Sequence, residues 1–256
     1  MYFKYDNFKI YYEKYGYKDK SIIILPGWGD NRATFNYMIN YLKEYFTIYI
    51  LDYPGFGNSI FPNYDLTIYD YSSVVYEWIK YLDIKDPILI GHSFGGRIIT
   101  TLIGYYNYNF SNIIYLNSAG LIKKKKLKVK FKILIYKLLK KIKYLLPKRK
   151  RKVYLKSLFN KFASTDYSNL PSNMMNTFKN IVNQDLKKYL NNIKSRCLII
   201  WGNCDKTTPL KDAYVMNKLI KDSELIILNN ACHFSYLDYP NLVNSIIFEQ
   251  LKDEII

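Results

Sequence analysis

The 256-residue chain holds only three cysteines and two histidines. Cys197, Cys204 and Cys232 are odd in number and lack metal-type spacing, which argues against a disulfide framework or a zinc finger. With His92 and His233 alone, a multi-histidine metal site is excluded, and neither a metal nor a cofactor is expected. No stretch approaches the ~18 consecutive apolar residues of a membrane-spanning helix. The opening residues, MYFKYDNFKIYYEKYG, lack the apolar core and small-residue site of a signal peptide. These absences together point to the reducing cytoplasm. Acids are also scarce, with 21 Asp and Glu against 38 Lys and Arg, for a net charge of +17.

That charge is concentrated. Sixteen basic residues and no acid lie between positions 121 and 152, so the rest of the chain is close to neutral. Elsewhere, 49% hydrophobic and 23% charged residues describe a folded globular protein, long enough for one large α/β domain.

Short apolar runs alternate with helix-spaced segments. Residues 1–15 predict two strands around a turn at Asp6-Asn7. Strands are expected at 21–25, 47–51, 88–90, 113–116, 197–202 and 224–228. Helices are expected at 34–45, 67–82, 94–106, 210–220 and 237–251. Continuous apolar runs fit strands buried on both faces, as in parallel sheets, and the alternation implies βαβ units. Residues 121–190 interrupt this rhythm with helical or irregular sequence. The expected layout is a core over 1–120, an insertion over 121–190 and the rest of the core over 191–256.

The stretch Gly91-His92-Ser93-Phe94-Gly95-Gly96 lies between a predicted strand and a predicted helix. That is the setting of a nucleophile elbow, where small flanking residues permit a tight turn that exposes the serine hydroxyl. A serine needs a base, and His233 is the only histidine outside the motif. It follows the last predicted strand after a short loop. An acid must fix the imidazole tautomer, and Asp205 follows the strand at 197–202. Asn117 and Ser118, which end the strand at 113–116, are not ionisable at neutral pH, and that favours Asp205. The chain order Ser93, Asp205, His233 matches one of the known orders for such triads.

Four further stretches make a resemblance specific. Leu25-Pro26-Gly27-Trp28-Gly29-Asp30 is similar to an oxyanion loop, although Pro26 stands where the family usually has histidine. Asp52-Tyr53-Pro54-Gly55-Phe56-Gly57-Asn58-Ser59, Trp201-Gly202-Asn203-Cys204-Asp205 and His233 through Pro240 complete the pattern. The chain resembles the α/β-hydrolase superfamily of serine hydrolases with a helical cap over nearly its whole length. The resemblance implies an α/β-hydrolase fold, with a mostly parallel central sheet flanked by helices and an inserted helical cap. It implies that Ser93 attacks a carbonyl carbon and His233 shuttles the proton. Asp205 would orient His233, and the backbone N–H groups of Trp28 and Phe94 would hold the oxyanion. The expected activity is cleavage of an ester or related acyl bond in a small to medium apolar substrate. A thioesterase or a carbon–carbon bond hydrolase is the alternative on the same fold. A serine at position 93 argues against dehalogenase and epoxide-hydrolase chemistry, whose relatives place aspartate there. A non-catalytic protein docking on membranes is the alternative from another class.

In the insertion, Leu127, Phe131, Leu134, Leu138, Ile142 and Leu145 form one apolar stripe with lysines mostly off it. The plainest expectation is a cap helix that turns this stripe onto the active site. Peripheral contact with an anionic membrane is the sharper alternative. Nucleic acid is not expected, because no groove-binding motif is present. Cys204 and Cys232 are expected to be small apolar fillers near the acid and the base.

Overall fold

A computed structural model describes residues 1–30, 32–122, 127–162 and 170–255, with backbone only at 127–133, 145, 159–162 and 172. Its centre is an eight-stranded sheet in the order β1-β2-β4-β3-β5-β6-β7-β8. The strands are β1 (Tyr2–Tyr5), β2 (Phe8–Tyr15), β3 (Ser21–Leu25), β4 (Thr47–Leu51), β5 (Ile88–His92), β6 (Asn112–Leu116), β7 (Arg196–Gly202) and β8 (Ser223–Leu228). The first two strands pair antiparallel, β2 joins β4 antiparallel, and every other pairing is parallel. This is the mostly parallel α/β architecture expected from the alternating runs.

The two faces of the sheet follow from the period of two along a strand. Ile22, Ile24, Ile88, Ile90, Ile114, Leu116, Leu198 and Ile200 pack on one side, against α1 (Asn36–Leu42) and α9 (Pro240–Leu251). Ile23, Leu25, Leu89, Ile113, Tyr115, Ile199 and Trp201 pack on the other, against α2 (Ile68–Tyr81), α3 (Phe94–Gly104) and α7 (Leu210–Leu219). Helix α2 starts at a capping box, in which the Thr67 hydroxyl accepts from Asp70 N and the Asp70 carboxylate accepts from Thr67 N.

Two helices differ from the sequence expectation. The segment at 34–45 is a 3-10 turn over Arg32–Phe35 followed by the shorter α1. The final helix is split into α8 (Ser235–Asp238) and α9, because Pro240 lacks the N–H an interior position would donate and instead opens α9.

Between β6 and β7 the described residues form α4 (Leu127–Lys141), α5 (Lys148–Phe162) and α6 (Met175–Val182), with 3-10 turns between them. Helices α4 and α5 make a hairpin, tied where the Tyr154 hydroxyl donates to Leu139 O at 2.8 Å and Arg151 Nε donates to Leu146 O at 3.0 Å. The insertion's far end is fixed to the core by Arg97, whose Nη1 donates to Gln184 O at 2.8 Å. Burial pushes that guanidinium down to about 10.

Among the described residues, the apolar stripe does not turn inward as expected. Leu134, Leu138 and Ile142 are 51%, 55% and 39% exposed. The side chains of Leu127, Phe131 and Leu145, and all of Lys123 to Lys126, lie outside the described residues. Core contacts come instead from later in the insertion. Phe178 on α6 packs its ring 5.4 Å from that of Trp28, and Leu66 N donates to Thr177 Oγ1 at 2.9 Å.

Candidate active site

Strand order reverses at β3, which is flanked by β4 and β5, and loops beyond the carboxyl ends of strands at such a point form a crevice. The elbow, the loop at 25–30 and the loop at 52–59 emerge there, and the acid and histidine loops follow β7 and β8.

Ser93 sits between β5 and α3 with φ 47° and ψ −104°, a strained conformation for a residue with a Cβ. The turn is tight enough to dictate its neighbours. A Cβ on Gly95 would lie 1.9 Å from Leu25 O, and one on Gly91 would lie 2.6 Å from Ile99 Cδ1. Backbone bonds hold the elbow, with Ser93 N donating to Leu116 O at 3.1 Å and Ala119 N to Ser93 O at 2.9 Å.

The structure brings the three distant side chains together. Ser93 Oγ lies 3.1 Å from His233 Nε2, and His233 Nδ1 lies 2.8 Å from Asp205 Oδ2. The His233 side chain is 17% exposed and that of Asp205 is fully buried. Asp205 is held from both sides. Its Oδ1 accepts the backbone N–H groups of Thr207 and Thr208 at 2.7 and 2.8 Å. Its Oδ2 accepts from Asn117 Nδ2 at 2.8 Å and from the Thr208 hydroxyl at 2.6 Å. Burial alone would raise the Asp205 carboxyl, but His233, Thr208 and Asn117 outweigh it and hold it at about 2.

Asn117 and Thr208 are partners of Asp205 that sequence reasoning misses. Asn117 follows β6 and cannot itself be the acid. Its amide instead bridges Asp205 to Cys232 O at 3.1 Å, and its Oδ1 accepts from the buried Ser235 hydroxyl at 2.5 Å. No local pattern marks Thr208, which depends on the turn after Asp205.

Trp28 and Phe94 stand together, with ring centroids 5.3 Å apart, and Trp28 also packs on Phe56 at 4.8 Å. Phe94 opens α3, where the first N–H groups have no partner within the helix. The Pro26 position is braced without histidine. The Tyr53 hydroxyl donates to Pro26 O at 3.3 Å, and Gly27 N donates to Asp30 Oδ2 at 2.9 Å. The loop at 52–59 is stitched together through Asp52, which accepts from Arg32 Nε at 2.7 Å and Asn58 N at 2.8 Å.

Cys204 and Cys232 are exposed, not apolar fillers, because both loops lie at the surface where Cys204 N meets Ala231 O at 2.9 Å. Among the described residues no group of three or more His, Cys, Asp or Glu side chains is placed to hold a metal ion. Nor is any described helix long and apolar enough to cross a membrane.

Residues 20–240 match the α/β hydrolase fold family. The chain belongs to that family. This α/β hydrolase is 29% identical to a pimeloyl-[acyl-carrier protein] methyl ester esterase of Wigglesworthia glossinidia brevipalpis, over 89% of this chain and 92% of that one. It is 25% identical to the uncharacterized hydrolase YugF of Bacillus subtilis, over 98% and 97% of the two chains. Among solved structures, an esterase from Exiguobacterium antarcticum superposes with a TM-score of 0.74 at 23% identity, over 96% of each chain, a likeness of fold.

Proposed function

We propose that this α/β hydrolase is a serine esterase that cleaves a carboxylic ester of a small to medium apolar substrate. The observation that carries the reading is the continuous line from Ser93 Oγ to His233 Nε2 at 3.1 Å and from His233 Nδ1 to Asp205 Oδ2 at 2.8 Å. His233 takes the Ser93 proton as Oγ attacks the ester carbonyl, and the tetrahedral oxyanion is held by the backbone N–H groups of Trp28 and Phe94. His233 then gives its proton to the leaving alcohol. The acyl-enzyme is released when His233 deprotonates a water that attacks the same carbon. Asp205 fixes the imidazole with hydrogen on Nδ1 and offsets its charge in the transition state. The cap over 121–190 contributes Phe178 beside Trp28, an apolar wall suited to an acyl chain.

The test is hydrolysis of p-nitrophenyl esters of increasing chain length, by the native chain and by Ser93→Ala. Turnover that vanishes in the variant supports the serine mechanism, and the preferred length sizes the pocket. A methyl ester carried on acyl-carrier protein, the substrate in one relative's name, belongs in the same series. Turnover of thioesters or carbon–carbon substrates alone would replace the ester reading.

The insertion supports a peripheral contact as well. Leu134, Leu138 and Ile142 recur every four residues and so share one face, and all three are exposed. Exposed Lys137, Lys140 and Lys141 lie beside them, and exposed Lys148, Arg149, Lys150 and Lys152 begin the next helix. We infer that this hairpin rests on an anionic membrane surface, with the aliphatic stripe at the headgroup boundary and the lysines toward phosphate. Lysine predominates over arginine, which suits a diffuse anionic surface better than bidentate pairing with protein carboxylates. The three free cysteines fit a reducing compartment, and the cytoplasmic face is the side proposed.

A further inference from the structure

His92 is the second of the chain's two histidines, and the proposed reaction leaves it no role. It is nonetheless buried, with its side chain 1% exposed, at the junction of three loops. Its Nδ1 lies 2.7 Å from Asp30 Oδ2 on the loop after β3. Its Nε2 lies 3.0 Å from the backbone carbonyl of His233 on the loop after β8. Its own backbone ends β5, next to Ser93.

Both neighbours are hydrogen-bond acceptors. A carbonyl oxygen only accepts, so Nε2 carries a hydrogen. Asp30 Oδ2 already accepts the Gly27 N–H at 2.9 Å, and its contact with Nδ1 requires a hydrogen between the two atoms. The same Oδ2 accepts the Gly27 N–H, which suits a carboxylate oxygen and not a carboxylic O–H, and that places the hydrogen on the ring. A neutral imidazole has one N–H and this site uses two. The other titratable groups facing the ring are His233, with ring centroids 4.9 Å apart, and Tyr236 at 5.1 Å, whose hydroxyl burial pushes above its ordinary range and so keeps neutral.

We propose that His92 is a buried imidazolium, ion-paired with Asp30, that braces the oxyanion loop and the base loop against the elbow. It is a positioning residue, since it touches none of the reacting atoms. The chain of contacts runs from Gly27 N–H through Asp30 and His92 to the His233 carbonyl. It therefore fixes the residue before the Trp28 donor and the backbone of the base in one rigid unit. It also supplies from the elbow the support that Pro26 cannot give where the family pattern usually has histidine. A buried pair of this kind holds only when its remaining polar atoms are satisfied, and here the Gly27 N–H and the His233 carbonyl do that.

The catalytic consequence rests on the proposed esterase reading, but the protonation state does not, and the experiment separates them. Labelling with 15N-histidine gives two ring systems in this chain. One ring is expected to show both nitrogens protonated at neutral pH, with slowly exchanging hydrogens, and to do so unchanged in Ser93→Ala. In Asp30→Asn that ring should lose one hydrogen, and kcat should fall about tenfold or more with KM little changed, as expected when reacting groups are slightly misplaced. Two singly protonated rings in the native chain at neutral pH would overturn the brace whatever the activity. So would an Asp30→Asn variant with native kcat. A doubly protonated ring in a chain that turns over no ester would uphold the brace and count against the esterase reading alone.

Discussion

Replacing Asp205 by asparagine keeps the size of the side chain and removes its charge. The hydrogen bonds around it decide how the new amide sits. Oδ1 faces two backbone N–H groups at 2.7 and 2.8 Å, which cannot rotate away. Oδ2 faces His233 Nδ1 and two side-chain donors, Asn117 Nδ2 and the Thr208 hydroxyl. The asparagine oxygen is therefore expected to take the Oδ1 place, leaving its NH2 toward His233. An N–H pointing at Nδ1 forces that nitrogen to accept, and the ring hydrogen moves to Nε2. There it faces Ser93 Oγ as a donor, and the base is disabled. The same change of tautomer in a serine protease costs about 10⁴ in kcat, equivalent to roughly 5 kcal/mol of barrier.

The charge also stabilises the fold. A carboxyl held at about 2 rather than its ordinary 3.8 contributes about 2 kcal/mol at neutral pH. Because the folded value is the lower one, this contribution is present above about pH 4 and is lost as the pH falls toward about 2. Ester hydrolysis at saturating substrate should show the fall in kcat for Asp205→Asn with KM within a fewfold of native. Urea unfolding at stepped pH should show the native chain weakening over that acid interval and the variant lacking that part of the slope. A kcat within tenfold of native would refute the assigned role of Asp205.

Ser93→Ala should abolish ester turnover to within roughly 10³–10⁴ of the water rate while leaving the far-ultraviolet spectrum of the fold, since the hydroxyl makes no structural bond beyond that to His233 among the described contacts. Gly95→Ala should prevent folding or soluble expression, because its Cβ would meet Leu25 O at 1.9 Å, whereas Gly120→Ala, whose Cβ would meet nothing nearer than Leu186 Cβ at 4.0 Å, should cost only backbone strain and remain folded. Co-sedimentation with vesicles of anionic phospholipid should retain the native chain at low salt, lose it in high salt, and weaken in Leu138→Asp. Equal binding to neutral vesicles, or none to anionic ones with retention on an immobilised acidic protein, would rule out the proposed anionic membrane contact.

Much of this fold is legible in the sequence because parallel strands buried on both faces read as apolar runs, as in Ser21–Leu25 and Thr47–Leu51. The loops are legible for a different reason. Turns such as Gly91 through Gly96 require small residues at fixed offsets whatever else the chain does. The partners of Asp205 are not legible, because Asn117 meets it across 88 positions and only the pairing of β6 with β7 brings them together. The exposure of Leu134 and Leu138 is not legible either, since helical periodicity shows that an apolar face exists and not what covers it. At Pro240 the sequence holds the signal, and the apolar spacing across 237–251 masks it.

Pro26 shows how a departure from a family's pattern is absorbed by the rest of a site. A histidine there would offer ring hydrogen bonds from within the loop itself. Here the loop is held from outside by the Tyr53 hydroxyl on Pro26 O and from within by its own Asp30 carboxylate on Gly27 N. Asp30 in turn leans on His92, which leans on the loop carrying His233. The support has moved from one residue to a path that crosses three loops. On the proposed brace, a change at Asp30 reaches the loop at 25–30 and the loop carrying His233 together.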